Sequence, residues 1–337
     1  MDTITLKNPL DMHLHLREGE ILESVLPFSA DRFLGGVVMP NLKQPLTNAN
    51  LADNYYQEIK RLAKDFYPIM SIYLNQELNQ KELEKALEKG FKVLKLYPKG
   101  STTNSSNGVE DILDDGVLKI LEIAQDLGFI LSIHGESNGF SLDREYEFLK
   151  VFEKLSKNFP KLKIILEHMS DHRSIQALEN FENLYATLTL HHITMDLDDL
   201  LGKGLNPHYF CKPILKTPKD KEMLLELALQ AHPKVSFGSD SAPHLLSKKL
   251  CENSSAGIFS APYLLESLVE LFEKHNALDN LQSFVSDNAI KNYNLSFKNT
   301  KLVKLIKQPT IIPSEISIGN DRIIPLNCGK TLQWKLA

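Results

Sequence analysis

Short apolar or β-branched runs alternate with longer stretches of helical spacing along most of the chain, and this alternation limits the fold more than any other feature. The strand-like runs are residues 11–17 (DMHLHLR), 36–41 (GVVMPN), 68–74 (PIMSIYL) and 91–97 (FKVLKLY). Four more follow at 129–136 (FILSIHGE), 162–168 (LKIILEH), 184–191 (LYATLTLH) and 235–240 (VSFGSD). Between them, residues 50–65, 80–90, 114–128, 142–159, 174–180 and 219–231 carry Leu, Ala, Glu and Lys at i, i+3, i+4 spacing and read as amphipathic helices. Gly90 and Gly128 stop two of these just before the next strand. Strands that alternate with helices imply a parallel sheet, and eight units is the number that closes a (β/α)8 TIM-type barrel. The rival, an open doubly wound sheet, would show G-x-G-x-x-G after its first strand, and the motif is missing. The expected fold class is therefore α/β, with a barrel over residues 1–299. The tail, 300–337, changes character: Pro309, Pro313 and Pro325 punctuate apolar runs at 310–312, 316–318 and 322–324. It reads as a small β appendage packed on the barrel.

Composition removes several functional classes. A formal charge of -5 over 337 residues argues against a nucleic-acid partner, which would normally show a basic face. No apolar run approaches the roughly 18 residues needed to cross a bilayer. The opening MDTITLKNPL lacks a charged-then-apolar signal pattern. Cys211, Cys251 and Cys328 are far apart and form no CxxC, so a reducing cytoplasm is expected rather than a disulfide scaffold.

The positions of the histidines carry the chemistry. In DMHLHLR, strand alternation puts Asp11, His13, His15 and Arg17 on one face and Met12, Leu14 and Leu16 on the other. The leucines suit a helix layer, which turns both histidines toward the barrel interior. His-x-His on a strand brings two imidazoles to one metal from the same side; a strand with its polar face in water fits the same spacing. Lys95, between Leu94 and Leu96, is an ordinary strand lysine if it reaches solvent. Turned inward beside histidines, its ammonium would be costly to desolvate and would repel a metal. The neutral amine can instead combine with carbon dioxide, giving a carbamate whose two oxygens can bridge two cations. His134 closes SIHGE, His168 closes ILEH, and Asp240 ends the eighth run with His244 four residues on. Singly, each is an ordinary polar residue. Together, the first, fourth, fifth, sixth and eighth strand ends carry His, Lys, His, His and Asp, on the rim where catalytic groups of such barrels gather.

In their order, HLHLR, MPN, KLYP followed by TTNSSNG, HGE, EH and GSDSAPH resemble the short, monofunctional dihydroorotases of the amidohydrolase superfamily. HxH alone points only to the superfamily; KLYP with TTNSSNG and GSDSAPH narrows it. The resemblance runs from about residue 11 to about residue 294. It implies reversible zinc-dependent cyclisation of N-carbamoyl-L-aspartate to L-dihydroorotate in de novo pyrimidine (UMP) synthesis, by a cytoplasmic homodimer. It implies one zinc on His13, His15, carbamylated Lys95 (N6-carboxylysine) and Asp240, and a second on carbamylated Lys95, His134 and His168. Asp240 would also carry the catalytic proton. Arg17, Asn41 and His244 would bind the substrate carboxylate, Arg as a bidentate fork and the others as single donors. Thr102 and Thr103 would belong to a lid. Lys212, in YFCKPILK where the family often has an apolar residue, and Ala256 with Gly257 would offer main-chain contacts. His172, His191, His192, His208, His232 and His275 fit no ligand pattern. The nearest alternative is a hydantoinase or dihydropyrimidinase, whose substrates lack the extra carboxylate and leave Arg17, Asn41 and His244 no common task. A barrel that has lost catalysis and serves as a scaffold is the other; such decay would normally break the ligand set, and here all six positions are filled.

Overall fold

The computed structural model describes residues 2–102, 104–105 and 108–337. A first strand, β1 (Thr3–Lys7), precedes eight parallel strands. These are β2 (Leu10–Leu14), β3 (Gly35–Val38), β4 (Tyr67–Tyr73), β5 (Val93–Leu96), β6 (Ile130–Ile133), β7 (Lys163–Leu166), β8 (Leu184–Leu188) and β9 (Val235–Phe237). They form one sheet in sequence order from β2 to β9. Its two ends meet where Leu14 bridges Ser241 and Asp240 N donates to His13 O at 2.8 Å. The expected eight-stranded barrel is thus present and nearly closed.

Alternation sorts each strand. Leu94, Leu96, Leu131, Ile133, Ile164 and Leu166 join the large core under the helices, while Val93, Ile130 and Ile165 join a second cluster within the barrel. Lys95, Ser132 and Glu167 share the inward parity of that second set, nearer the C-terminal ends of the strands. One expectation for β2 needs correction. Its register against β3 slips between Asp11 and Leu14, a bulge that resets the alternation. Met12 therefore packs in the inner cluster, and only Leu14 and Leu16 reach the helix layer. The expected strands also ran too far at their C-terminal ends. Arg17, His168 and Asp240 all lie beyond the ladders, with left-handed φ of 60°, 42° and 43°, a backbone region where non-glycine residues are held under strain.

The helix Gly19–Arg32 was not foreseen. Its Pro27 breaks the donor pattern, and no side chain caps its start. Tertiary contact holds it instead: Arg32 grips Glu266 through Nε at 2.8 Å and Nη2 at 2.6 Å, both groups buried. Among the helices that the spacing predicts, Pro218–Leu229 adds a local signal, the Thr217–Asp220 capping box with Pro218 in the first turn.

The tail holds β10 (Leu302–Ile311), β11 (Ile316–Ile318), β12 (Asp321–Ile323) and β13 (Thr331–Leu336). β11 and β12 make a hairpin, while β1, β10 and β13 form a three-stranded antiparallel sheet. The small β appendage is therefore present, and it includes a strand from the N-terminal end of the chain. β10 is longer than the run at 310–312 suggested: it passes through Pro309, where the pairing with β13 shifts register. No helix among the described residues is long and apolar enough to cross a membrane.

Candidate active site

Five barrel strands deliver the candidate ligands to one rim. His13 lies in β2 and His15 just beyond it; Lys95 lies in β5; His134, His168 and Asp240 follow β6, β7 and β9. Asp240 Oδ1 is 3.0 Å from His15 Nε2 and 3.5 Å from His13 Nε2, and ligand atoms of these three residues lie within 4.8 Å of one another. Across the cluster, His134 Nδ1 and His168 Nε2 face each other at 3.1 Å. The His168 ring is 4.9 Å from that of His13, which joins the two groups. Lys95 is fully buried, its Nζ has no hydrogen-bond partner among the described residues, and the ring of Tyr97 lies 5.0 Å away.

Electrostatics prepares these groups for a cation. Burial, and then the charge of Lys95, push His13 below its ordinary value. Burial with Arg17 and Lys95 holds His15 well down, and burial with His134 and His13 does the same to His168. These three imidazoles are neutral at pH 7 and keep lone pairs for binding. Burial lowers the Lys95 amine to about 8 against the pull of Glu167 and Asp240. Burial also raises Asp240. Neutral imidazoles, a carboxylate and an orphaned buried amine form a donor set that fits a metal, and nitrogen with oxygen suits zinc.

A carboxylate that sequence reasoning passed over orients the set. Glu167 Oε2 lies 2.8 Å from His13 Nδ1 and accepts from Thr187 Oγ1 at 2.6 Å, while Oε1 accepts from Ser132 Oγ at 2.6 Å. With Nδ1 donating to Glu167, His13 presents Nε2 toward Asp240. Glu136 stands 2.8 Å from His134 Nε2 and leaves Nδ1 for the cluster in the same way. Both carboxylates sit in the quoted motifs EH and HGE. The inward parity of Glu167 beside a ligand was the signal available.

The other side of the pocket is built for an anion. Arg17 Nη2 lies 3.1 Å from His244 Nε2, which is also 3.0 Å from Ala256 O. Arg17 Nε donates to Pro243 O at 3.1 Å, and the Tyr55 hydroxyl donates to Arg17 O. Asn41, Thr102, Lys212 and Ala256 line the same pocket as His13, His15 and Asp240. Gly257 allows the close approach: a Cβ there would stand 2.8 Å from Ala242 Cβ and 2.9 Å from His244 Cδ2. The enclosed space is about 20 Å³, enough for one water. Thr103 lies outside the described residues.

The remaining histidines divide. His191 and His192 are buried with Cys211, and ligand atoms of the three lie within 4.8 Å. Both nitrogens of His192 are taken, by Thr189 Oγ1 at 2.9 Å and Pro213 O at 3.0 Å. His172 Nδ1 lies 2.6 Å from Asp220.

Barrel and ligand rim define a class, and the Amidohydrolase family model matches residues 10–293. Dihydroorotase from Helicobacter hepaticus is 56% identical over 335 residues, 99% of this chain and 98% of its own. The crystal structure of dihydroorotase from Campylobacter jejuni matches with a TM-score of 0.94 at 43% identity, covering 99% of this chain and 97% of that one. Dihydroorotase from Saccharomyces cerevisiae in complex with 5-fluoroorotic acid matches with a TM-score of 0.95 at 34% identity, over 100% and 99% of the two chains. Within the amidohydrolases, the chain belongs to the dihydroorotases, cyclic amide hydrolases.

Proposed function

We propose that the chain interconverts N-carbamoyl-L-aspartate and L-dihydroorotate in the cytoplasm. The observation that carries this reading is the meeting of His13, His15, Lys95, His134, His168 and Asp240 at one rim, next to the Arg17–His244 pair. His13, His15 and Asp240 would hold one zinc and His134 and His168 a second, with Lys95, carbamylated, serving both. When bound, such ions supply Lewis acidity toward a carbonyl and a nucleophile at neutral pH.

The chain's own groups do the rest. Arg17, with Asn41 and His244, binds the carboxylate of the substrate, and the main chain at Lys212 and Ala256 adds contacts. The yeast relative was solved in complex with 5-fluoroorotic acid, a ring that bears such a carboxylate, which supports a carboxylate-bearing ring as the substrate. Asp240 is buried and burial raises its carboxyl above the ordinary value, which makes it a better base, so it can take a proton at Oδ and return it to the departing ring nitrogen. In cyclisation it accepts that nitrogen's proton instead. The segment at Thr102 and Thr103 acts as a lid, a reading supported by the place of Thr102 in the lining of the pocket. Residues 1–299 form the catalytic unit, since every residue assigned here lies within it, and 300–337 form an extension. The working form is a homodimer, a reading supported by the frequency of two-fold dimers; sedimentation should give one species near twice 38.2 kDa.

Ring closure consumes a carboxylate and a proton, so the ratio of dihydroorotate to carbamoyl-aspartate at equilibrium should fall about tenfold per pH unit near neutrality. Dihydroorotate should also be turned over in strong preference to dihydrouracil, which lacks the carboxylate. A ratio independent of pH, or equal turnover of both rings, would sink the assignment.

A further inference from the structure

One buried cation outside the reacting cluster joins the two main-chain segments that edge the pocket. Lys249 ends the short helix Leu246–Lys249 and is 4% exposed. Its Nζ donates to three carbonyls: Phe210 O at 3.0 Å, Ser255 O at 2.9 Å and Gly257 O at 2.8 Å. An ammonium has three donors, so its capacity is filled by backbone alone, with no carboxylate among the partners. Phe210 O accepts from Gly257 N as well, at 2.9 Å. The strand-like approach to Lys212 and the turn carrying Ala256 are therefore tied at one point. Burial lowers this amine to about 8. A buried charge without a counter-ion is a costly way to fill space that a methionine would fill more cheaply, which directs attention to what the three bonds fix.

The geometry of the peptide unit supplies the answer. Across a planar trans peptide the C=O and the following N–H point in opposite directions. The bond that draws Ser255 O toward Lys249 aims Ala256 N–H away from it. Ala256 O meanwhile lies 3.0 Å from His244 Nε2. The peptides on both sides of Ala256 are thus pinned, one by Lys249 and one by the histidine beside Arg17.

We infer that Lys249 is a positioning residue, whose ammonium fixes the main chain at Ala256 and ahead of Lys212 so that it meets the substrate carboxylate. The inference rests on the reading of Arg17, Asn41 and His244 as the carboxylate subsite, and its test separates the two. Lys249→Met keeps the bulk and removes the donors. In the zinc-loaded enzyme it should raise KM for dihydroorotate about tenfold or more, with kcat within about threefold and metal content unchanged, the signature of lost uniform binding. A purely structural role would lower the melting temperature or the active fraction and leave KM alone; that result overturns the inference. If the Met variant does not fold, Lys249→Arg decides: its donors are spread over three nitrogens in one plane, whereas the three carbonyls converge on a single nitrogen. The main chain must then shift and KM should still rise several-fold, and an unchanged KM overturns the inference. Arg17→Met is measured alongside. A wild-type KM in that variant withdraws the subsite reading itself, whereas a raised KM there with an unchanged KM in the Lys249 variant overturns the role of Lys249 alone.

Discussion

Glu167 shows how much of a metal ligand's behaviour is settled by its neighbour. Burial works against its charge, yet His13, Lys95 and the Ser132 hydroxyl together hold the carboxyl down to about 2. An ionised Glu167 fixes the His13 tautomer and orients the ring. Glu167→Gln should therefore weaken zinc binding by about 10–100-fold with the barrel intact, measured by competition with a chromophoric chelator; unchanged affinity would contradict the role. At this scale the sequence was legible where a residue type clashed with its surroundings. His13 and His15 amid leucines and Lys95 between Leu94 and Leu96 stand out because a strand normally has no place for them. Glu167 did not stand out, since a carboxylate next to a histidine looks ordinary until Ser132 and Thr187 are seen converging on it from β6 and β8. Met12 was misplaced because a bulge leaves no mark in a five-residue pattern.

Among the elements, the segment after β7 depends on one acid from the preceding helix. Glu145, in the helix Arg144–Asn158, accepts from Ser170 N and Oγ, Asp171 N and Ser174 Oγ. Burial raises its carboxyl from 4.5 to about 7. The folded value exceeds the unfolded one, so the folded state binds the proton more tightly; the contribution is fully present below pH 4.5 and is lost as pH rises through about 7. Relative to Glu145→Gln, which does not titrate, the wild type should lose about 3 kcal/mol between pH 4.5 and pH 7.5. Urea unfolding of both proteins over that range reads the slope, and a pH-independent difference between them would refute it. Long amphipathic helices are legible from their spacing with or without a side-chain cap, as Pro218–Leu229 with one and Arg144–Asn158 without one show. The helix Gly19–Arg32 was hidden because what holds it, Glu266, lies 234 residues away. β1 was hidden for the same reason: its partner β10 begins only at Leu302.

For the whole molecule, the period of the pattern mattered more than any single residue. Eight alternations imply a barrel, and a barrel has one rim at which the C-terminal ends of its strands converge, so groups as far apart in the chain as His13 and His244 belong to one rim. What period cannot supply is the covalent state of Lys95, whose buried Nζ finds no partner among the described side chains. The account stands on two cations meeting there. The most direct test is a high-resolution crystal structure of enzyme purified with zinc and bicarbonate, with anomalous data collected at the zinc edge. Two anomalous peaks should appear, one beside His13, His15 and Asp240 and one beside His134 and His168, with continuous density from Lys95 Nζ forking between them. A bare Lys95 amine in a fully metal-loaded crystal, or peaks only at other residues, would contradict it.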